Sequence, residues 1–146
     1  MNSQSLFTDL ERSRIQLAIL EAEKKTSGEI RIHLESICSS SAFERATELF
    51  SILNMHNTRD RNGVLIYLAY ESRVFAVIAD KGINEKVPEG FWNSIVDDMS
   101  VFFKSAQFAD GLIHGILKCG EKLAVYFPYN ASDDLNELSN DISFGQ

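Results

Sequence analysis

The sequence predicts an α/β protein, a three-layer α/β/α sandwich around a small mixed sheet. Three observations carry that expectation. Segments with a 3.6-residue apolar repeat are interleaved with short apolar runs, in the order helix, strand, helix, strand, strand, helix, helix. The first strand–helix–strand unit requires a parallel pair joined by a right-handed crossover. The last two strand-like runs are separated only by Tyr70-Glu71-Ser72-Arg73, so they form an antiparallel hairpin and the sheet is mixed.

The first helix spans residues 8–25. Thr8 and Glu11 have capping-box spacing, and Ile15, Ala18, Ile19 and Ala22 make an inward stripe. Gly28 follows the basic end at Lys24 and Lys25, where a left-handed cap is expected. Residues 29–36 alternate: Ile30, Ile32 and Leu34 face one way, while Glu29, Arg31, His33 and Glu35 form a wetter face. A second helix at 42–53 repeats the capping-box spacing with Ser41 and Glu44. It carries Ala42, Ala46, Leu49, Phe50 and Leu53 inward. After the polar loop 54–62, Val64 to Ala69 is continuously apolar, as in a strand covered on both faces, and Val74 to Ala79 pairs back onto it.

Pro88 suits the first turn of a third helix over 88–104, with Phe91, Ile95, Met99, Phe102 and Phe103 inward. A fourth helix at 106–126 buries Phe108, Leu112, Ile116, Cys119 and Leu123. Gly111 and Gly115 lie on one of its faces, where another element can approach closely. Pro128 ends it. Residues 1–128 then form one domain and 129–146 an acidic tail expected to lie along it. The tail carries Asp133, Asp134, Glu137 and Asp141 without a Lys or Arg, and also Leu135, Leu138, Ile142 and Phe144.

The chain has 146 residues, 14 Lys and Arg against 21 Asp and Glu, and a formal net charge of −7. That acidic balance argues against nucleic acid and anionic membranes as partners and favours divalent cations or basic partners. No apolar run approaches the roughly 18 residues of a membrane span, and no secretory signal is visible. The expectation is therefore a cytoplasmic, monomeric protein. Cys38 and Cys119 read as small buried hydrophobes of a reducing compartment.

The topology places the start of strand one, the start of strand two and the end of strand three at one edge of the sheet. Thr26–Glu29, His56–Asn62 and Asp80–Glu89 are then expected to converge, with the third helix beginning there too. Hard cations need several oxygen ligands, and this rim offers Glu29, Asp60, Asp80 and Glu85, with Asn62 and Asn84 as neutral donors. On spacing alone the simpler reading of the same carboxylates is a solvated rim paired with Arg59, Arg61, Lys81 or Lys86. An EF-hand is excluded, because Thr58-x-Asp60-x-Asn62-Gly63 is followed by Ala69 where the terminal Glu is required.

No phosphatase nucleophile motif is present: Glu44 and Val125 occupy the arginine positions that Cys-x5-Arg would need. Phosphoester hydrolysis would have to be metal-assisted, with Lys81, Arg59, Arg61 or the start of the third helix holding the phosphate. His33, His56 and His114 lack zinc spacing and read as surface or capped histidines. There is no Gly-x-Ser-x-Gly elbow, and Gly82 and Gly90 are too sparse for a dinucleotide turn. Phe91, Trp92, Tyr126, Phe127 and Tyr129 could instead anchor a protein partner, in an assembly or chaperone-like module.

The stretches TSGEIRIHLE, RDRNGVLIYLAYESRVFAVIADKGINEKVPEGFW and FFKSAQFADGLIHGILKCGEKLAVYFP resemble a TPM domain. The family is named for thylakoid-lumen, photosystem-assembly and receptor-modulating members. The resemblance covers most of residues 8–128 and is most specific over the block Asn62 to Phe91. The ending DDLNELSNDISFG resembles that of short bacterial members. The resemblance implies a Rossmann-like α/β/α fold. It also implies binding of divalent cations, chiefly Ca²⁺, with Mg²⁺ or Mn²⁺ as further candidates, and it extends to acid phosphatase activity, which is attributed to a plant member. Many bacterial members carry a signal peptide and a membrane anchor, neither of which is visible here.

Overall fold

The computed structural model describes residues 6–130 and 138–145. Asp133, Asp134, Leu135 and Glu137 of the acidic tail lie outside the described residues. The chain runs α1 (Asp9–Glu23), β1 (Glu29–Glu35), α2 (Ala42–Ile52), β2 (Gly63–Ala69), β3 (Val74–Ala79), α3 (Lys81–Asn84), α4 (Asn93–Lys104), α5 (Phe108–Leu123) and β4 (Ser143–Phe144). The sheet has four strands in the order β3-β2-β1-β4. β1 pairs in parallel with β2, Glu29 opposite Gly63, and β2 pairs antiparallel with β3, Val64 opposite Ala79. The expected βαβ unit and hairpin are both present.

Local chemistry fixes the helix ends. Thr8 N–H donates to Glu11 Oε1 (3.0 Å) and Glu11 N–H to Thr8 Oγ1 (3.1 Å), which completes a capping box on α1. At α2 the expected box is half made, with Ser41 Oγ accepting from Glu44 N–H at 3.1 Å. The anticipated helix from Pro88 begins only at Asn93. Gly90 has φ = 78°, which an α-helix cannot contain, so Pro88 to Trp92 is a turn. One turn of helix, α3, instead forms directly after β3 with Asp80 as its N-cap. Gly28 has no left-handed cap to provide, since α1 ends on Lys24 in the right-handed region.

Two apolar layers sandwich the sheet. Ile30, Ile32, Leu34, Val64, Ile66 and Leu68 pack against Ile15 and Ile19 of α1, Ile95 and Met99 of α4, and Leu112, Ile116 and Leu123 of α5. On the opposite face Leu65, Tyr67 and Ala69 pack against Ala46, Leu49 and Phe50 of α2, with Leu138 beside them. The fourth strand comes from the tail: Ser143 and Phe144 pair in parallel with His33 and Leu34 of β1.

Helix α5 needs its small residues. A Cβ on Gly111 would come within 2.6 Å of the Phe103 ring, and one on Gly120 within 2.8 Å of both Cα and Cβ of Ala22. Exchanging glycine for alanine in a helix normally gains about 1 kcal/mol. At Gly120 the neighbour is backbone, so α1 and α5 must separate, and Gly120→Ala is expected to cost about 1–2 kcal/mol net. The measurement is the midpoint of urea unfolding, which should fall at an unchanged slope.

Candidate functional site at the sheet lip

The three polar segments do meet. Glu29 N–H donates to the Asn62 carbonyl (3.2 Å), Asp80 N–H to the Gly63 carbonyl (2.9 Å) and Gly82 N–H to the Arg61 carbonyl (2.9 Å). The end of α5 joins them. Ser27 N–H and Thr26 Oγ1 both donate to the Phe127 carbonyl, at 2.9 and 2.5 Å, and Thr26 bridges to Pro128. Gly82 lies so close under the carbonyls of Asp60 and Arg61 that a side chain there would strike both. The 56–62 loop and the 80–85 turn therefore cross at backbone contact.

The carboxylates at this lip have different surroundings. Asp80 is buried and fully engaged: it accepts from Arg61 Nε (2.8 Å) and Nη2 (3.0 Å), from Lys81 N–H (2.7 Å) and pairs with His56 Nδ1 at 3.2 Å. Burial alone would raise its pKa. The bonds from Arg61, Lys81 N–H and His56 overcome that and hold it below the usual carboxylate range. Asp60 is exposed beside Arg59 at 3.5 Å, and Glu85 is exposed at the end of α3. Glu29 is only 2% exposed, and its Oε1 accepts from Leu138 N–H at 2.9 Å. Among the four carboxylates, Asp60, Asp80 and Glu85 sit on the two crossing segments, while Glu29 turns under the sheet toward the C-terminal segment. Of the basic residues, Arg61 is committed to Asp80, and Lys81 is exposed.

A neighbouring carboxyl, Glu23, was not anticipated. Glu23 Oε2 accepts from Ile30 N–H at 3.0 Å. Desolvation pushes its pKa up to about 7, the Ile30 bond opposes this, and the nearby Glu29 charge adds to it. The signal lay in α1 itself: Glu23 stands four residues after Ile19 and continues the inward stripe with a charge.

The polar face of β1, expected to be wet, is covered at its other end. Glu35 is 3% exposed. It accepts from Tyr67 OH (2.6 Å), from Arg45 Nε (3.1 Å to each oxygen) and Nη2, and lies 3.3 Å from His33 Nε2. Burial would raise the Glu35 pKa, but the Arg45 and Tyr67 bonds hold it low. His33, expected from the sequence to be a surface or capped histidine, is buried with both ring nitrogens engaged. Burial lowers its pKa despite Glu35, and its Nδ1 meets Ser143 Oγ at 2.9 Å. Gly145 N–H donates to the Leu34 carbonyl at 2.6 Å, and Gly145 packs directly on Glu35, where a side chain would collide. This cluster is neutralised within itself and presents no open ligand position.

Among the described residues, no group of three or more His, Cys, Asp or Glu side chains is placed to hold a metal ion. No helix is long and apolar enough to cross a membrane, again among the described residues. Next to the lip is a cleft of about 530 Å³, lined by Ser27, Arg59, Asp60, Lys86, Tyr126 and Tyr129 among others. Lys86 Nζ stands 4.6 Å over the Phe127 ring at its wall.

A search of curated proteins finds no match. Among solved structures, the BA42 protein from the psychrophilic bacterium Bizionia argentinensis is similar at 46% identity and a TM-score of 0.89. The match covers 95% of each chain. The N-terminal domain of a P. gingivalis protein matches at 20% identity and a TM-score of 0.69, over 86% of this chain and 83% of that one. The N-terminal domain of a Corynebacterium glutamicum protein matches at 10% identity and 0.62, over 96% and 80%. The last two likenesses are of fold alone. The family model described as TPM domain matches residues 1–122, and the chain therefore belongs to the TPM domain family.

Proposed function

We propose that this domain binds a divalent cation of the calcium kind at the sheet lip, with carboxylate ligands drawn from Glu29, Asp60, Asp80 and Glu85. The observation that carries the reading is the crossing of the 56–62 and 80–85 segments at backbone contact. Carboxylates and carbonyls far apart in the chain share one rim there. The donors are all oxygen, which suits a hard ion such as Ca²⁺, with Mg²⁺ and Mn²⁺ as competitors, and argues against zinc. Negative charge is also crowded beside the rim, where Glu23 and Glu29 repel each other. Against preassembly stands the engagement of Asp80 by Arg61, so the exposed Asp60 and Glu85 are the side chains with most freedom to reach an ion.

Calorimetric titration of Ca²⁺ into chelator-treated protein is expected to give saturable heat. Asp60→Asn, which leaves the fold untouched at an exposed position, should weaken binding about tenfold. Absence of heat at millimolar ion would end this reading.

A metal-assisted phosphomonoesterase is favoured by one further observation, the cleft that brings Arg59 and Lys86 beside Asp60. Two cations suit a dianionic phosphoryl group, and a bound ion would supply Lewis-acid polarisation of its oxygen. Hydrolysis of a generic aryl phosphate, assayed with Ca²⁺, Mg²⁺ or Mn²⁺, should require the ion. Turnover that survives chelation would contradict the metal-assisted route.

A further inference from the structure

The outer edge of the sheet is open. β3 is the terminal strand and reads Val74-Phe75-Ala76-Val77-Ile78-Ala79, without a charge, proline or bulge. Natural edge strands are usually blunted by such features, and an apolar, regular edge is a template for another strand. The alternation of antiparallel bonding shows which groups are free. Asp80 N–H bonds the Gly63 carbonyl, so Ile78, Ala76 and Val74 form the bonded pairs with β2, and the amides and carbonyls of Phe75 and Val77 face outward. Ala79 also faces out, but its carbonyl already accepts from Asn84 Nδ2 at 3.0 Å. Among the described residues, no group reaches Phe75 or Val77 from that side.

These two positions are complementary to themselves. An antiparallel second copy with Phe75 opposite Val77, and Val77 opposite Phe75, satisfies all four outward groups of each strand and sets Ala76 against Ala76 on a two-fold axis. Other registers either skip one pair or use the occupied Ala79 carbonyl. Apolar surface flanks the edge. A groove of about 340 Å³ runs along Val77, Ile78 and Ala79 beneath Phe43 and Phe50 of α2, and Phe43 is 66% exposed. We propose that this face takes a second copy of the chain, joining the two sheets through β3 into one continuous sheet, in place of the monomer expected from the sequence.

The test is sedimentation of the full chain over a concentration series, with amide exchange read residue by residue. Doubling of the mass at high concentration, together with slowed exchange of the Phe75 and Val77 amides, is expected. Val77→Pro removes an outward N–H without touching the β2 ladder, and Ala76→Lys places like charges on the two-fold axis. Both variants should sediment as monomers, so the result does not depend on either one alone folding well. A wild-type chain that stays monomeric at millimolar concentration would overturn the proposal. So would a dimer in which Phe75 and Val77 still exchange freely, or one that persists unchanged in both variants.

Discussion

Replacing Glu35 by alanine is expected to remove about 3–4 kcal/mol of folding free energy at pH 7, a large fraction of the 5–15 kcal/mol typical of a domain. The carboxylate is the shared acceptor of a buried cluster: Tyr67 OH, the Arg45 guanidinium and His33 all converge on it. Alanine takes the Glu35 acceptor from the fully buried Tyr67 hydroxyl, which keeps only Cys38, and leaves Arg45, whose side chain is 29% exposed, with only Glu48. Glu35→Gln keeps an acceptor for Tyr67 and loses only the charge, so its cost should be smaller, about 1–2 kcal/mol. Urea unfolding of the three proteins decides the matter, and an alanine variant within about 0.5 kcal/mol of the parent would contradict this view of the cluster. The Glu35 pKa is held low, so its contribution is present above the ordinary carboxylate range and is lost as pH falls through the depressed value.

Glu23→Gln should act in the opposite direction, increasingly so as pH rises above the ordinary carboxylate value. The carboxyl titrates near 7 in the folded chain against an ordinary value of 4.5. Between those values the folded state binds more protons than the unfolded state, so this group lowers stability as pH rises. Above pH 7 the accumulated loss is about 3 kcal/mol. Glutamine keeps the acceptor for Ile30 N–H and carries no charge, so the variant should be more stable than the parent at pH 8 and equal to it near pH 4. His33 contributes with the other sign, since its lowered pKa costs stability as pH falls below its ordinary value. The difference between variant and parent cancels that background. Stability curves at pH 4, 6 and 8, recorded with chelator present, test the sign directly.

Most of the architecture was legible in the sequence because strand direction follows from connection length. A four-residue gap forces β3 antiparallel to β2, and the intervening α2 forces β2 parallel to β1. Those two facts alone bring Glu29, Asn62 and Asp80 to one lip. What escaped was decided by single contacts. β4 is two residues long and has no periodicity to read; only its docking on His33 and Leu34 makes it a strand. The wet face expected of β1 is buried because Arg45, ten residues on, and the C-terminal segment supply partners for Glu35, His33 and Glu29. Asp80 stands at the lip, where its place after β3 puts it. Its capture by Arg61 was not legible, since Arg61 was one of four nearby cations. The start of α4 was misplaced because Gly90, rather than Pro88, sets where the helix can begin.

A Ca²⁺ titration followed by amide chemical shifts across the whole chain tests the central claim most directly. The account predicts saturable shifts confined to residues 26–29, 56–62 and 80–85, with the Glu35 cluster and β3 unmoved. Shifts that gather on a single segment, or that fall anywhere other than this lip, would contradict it.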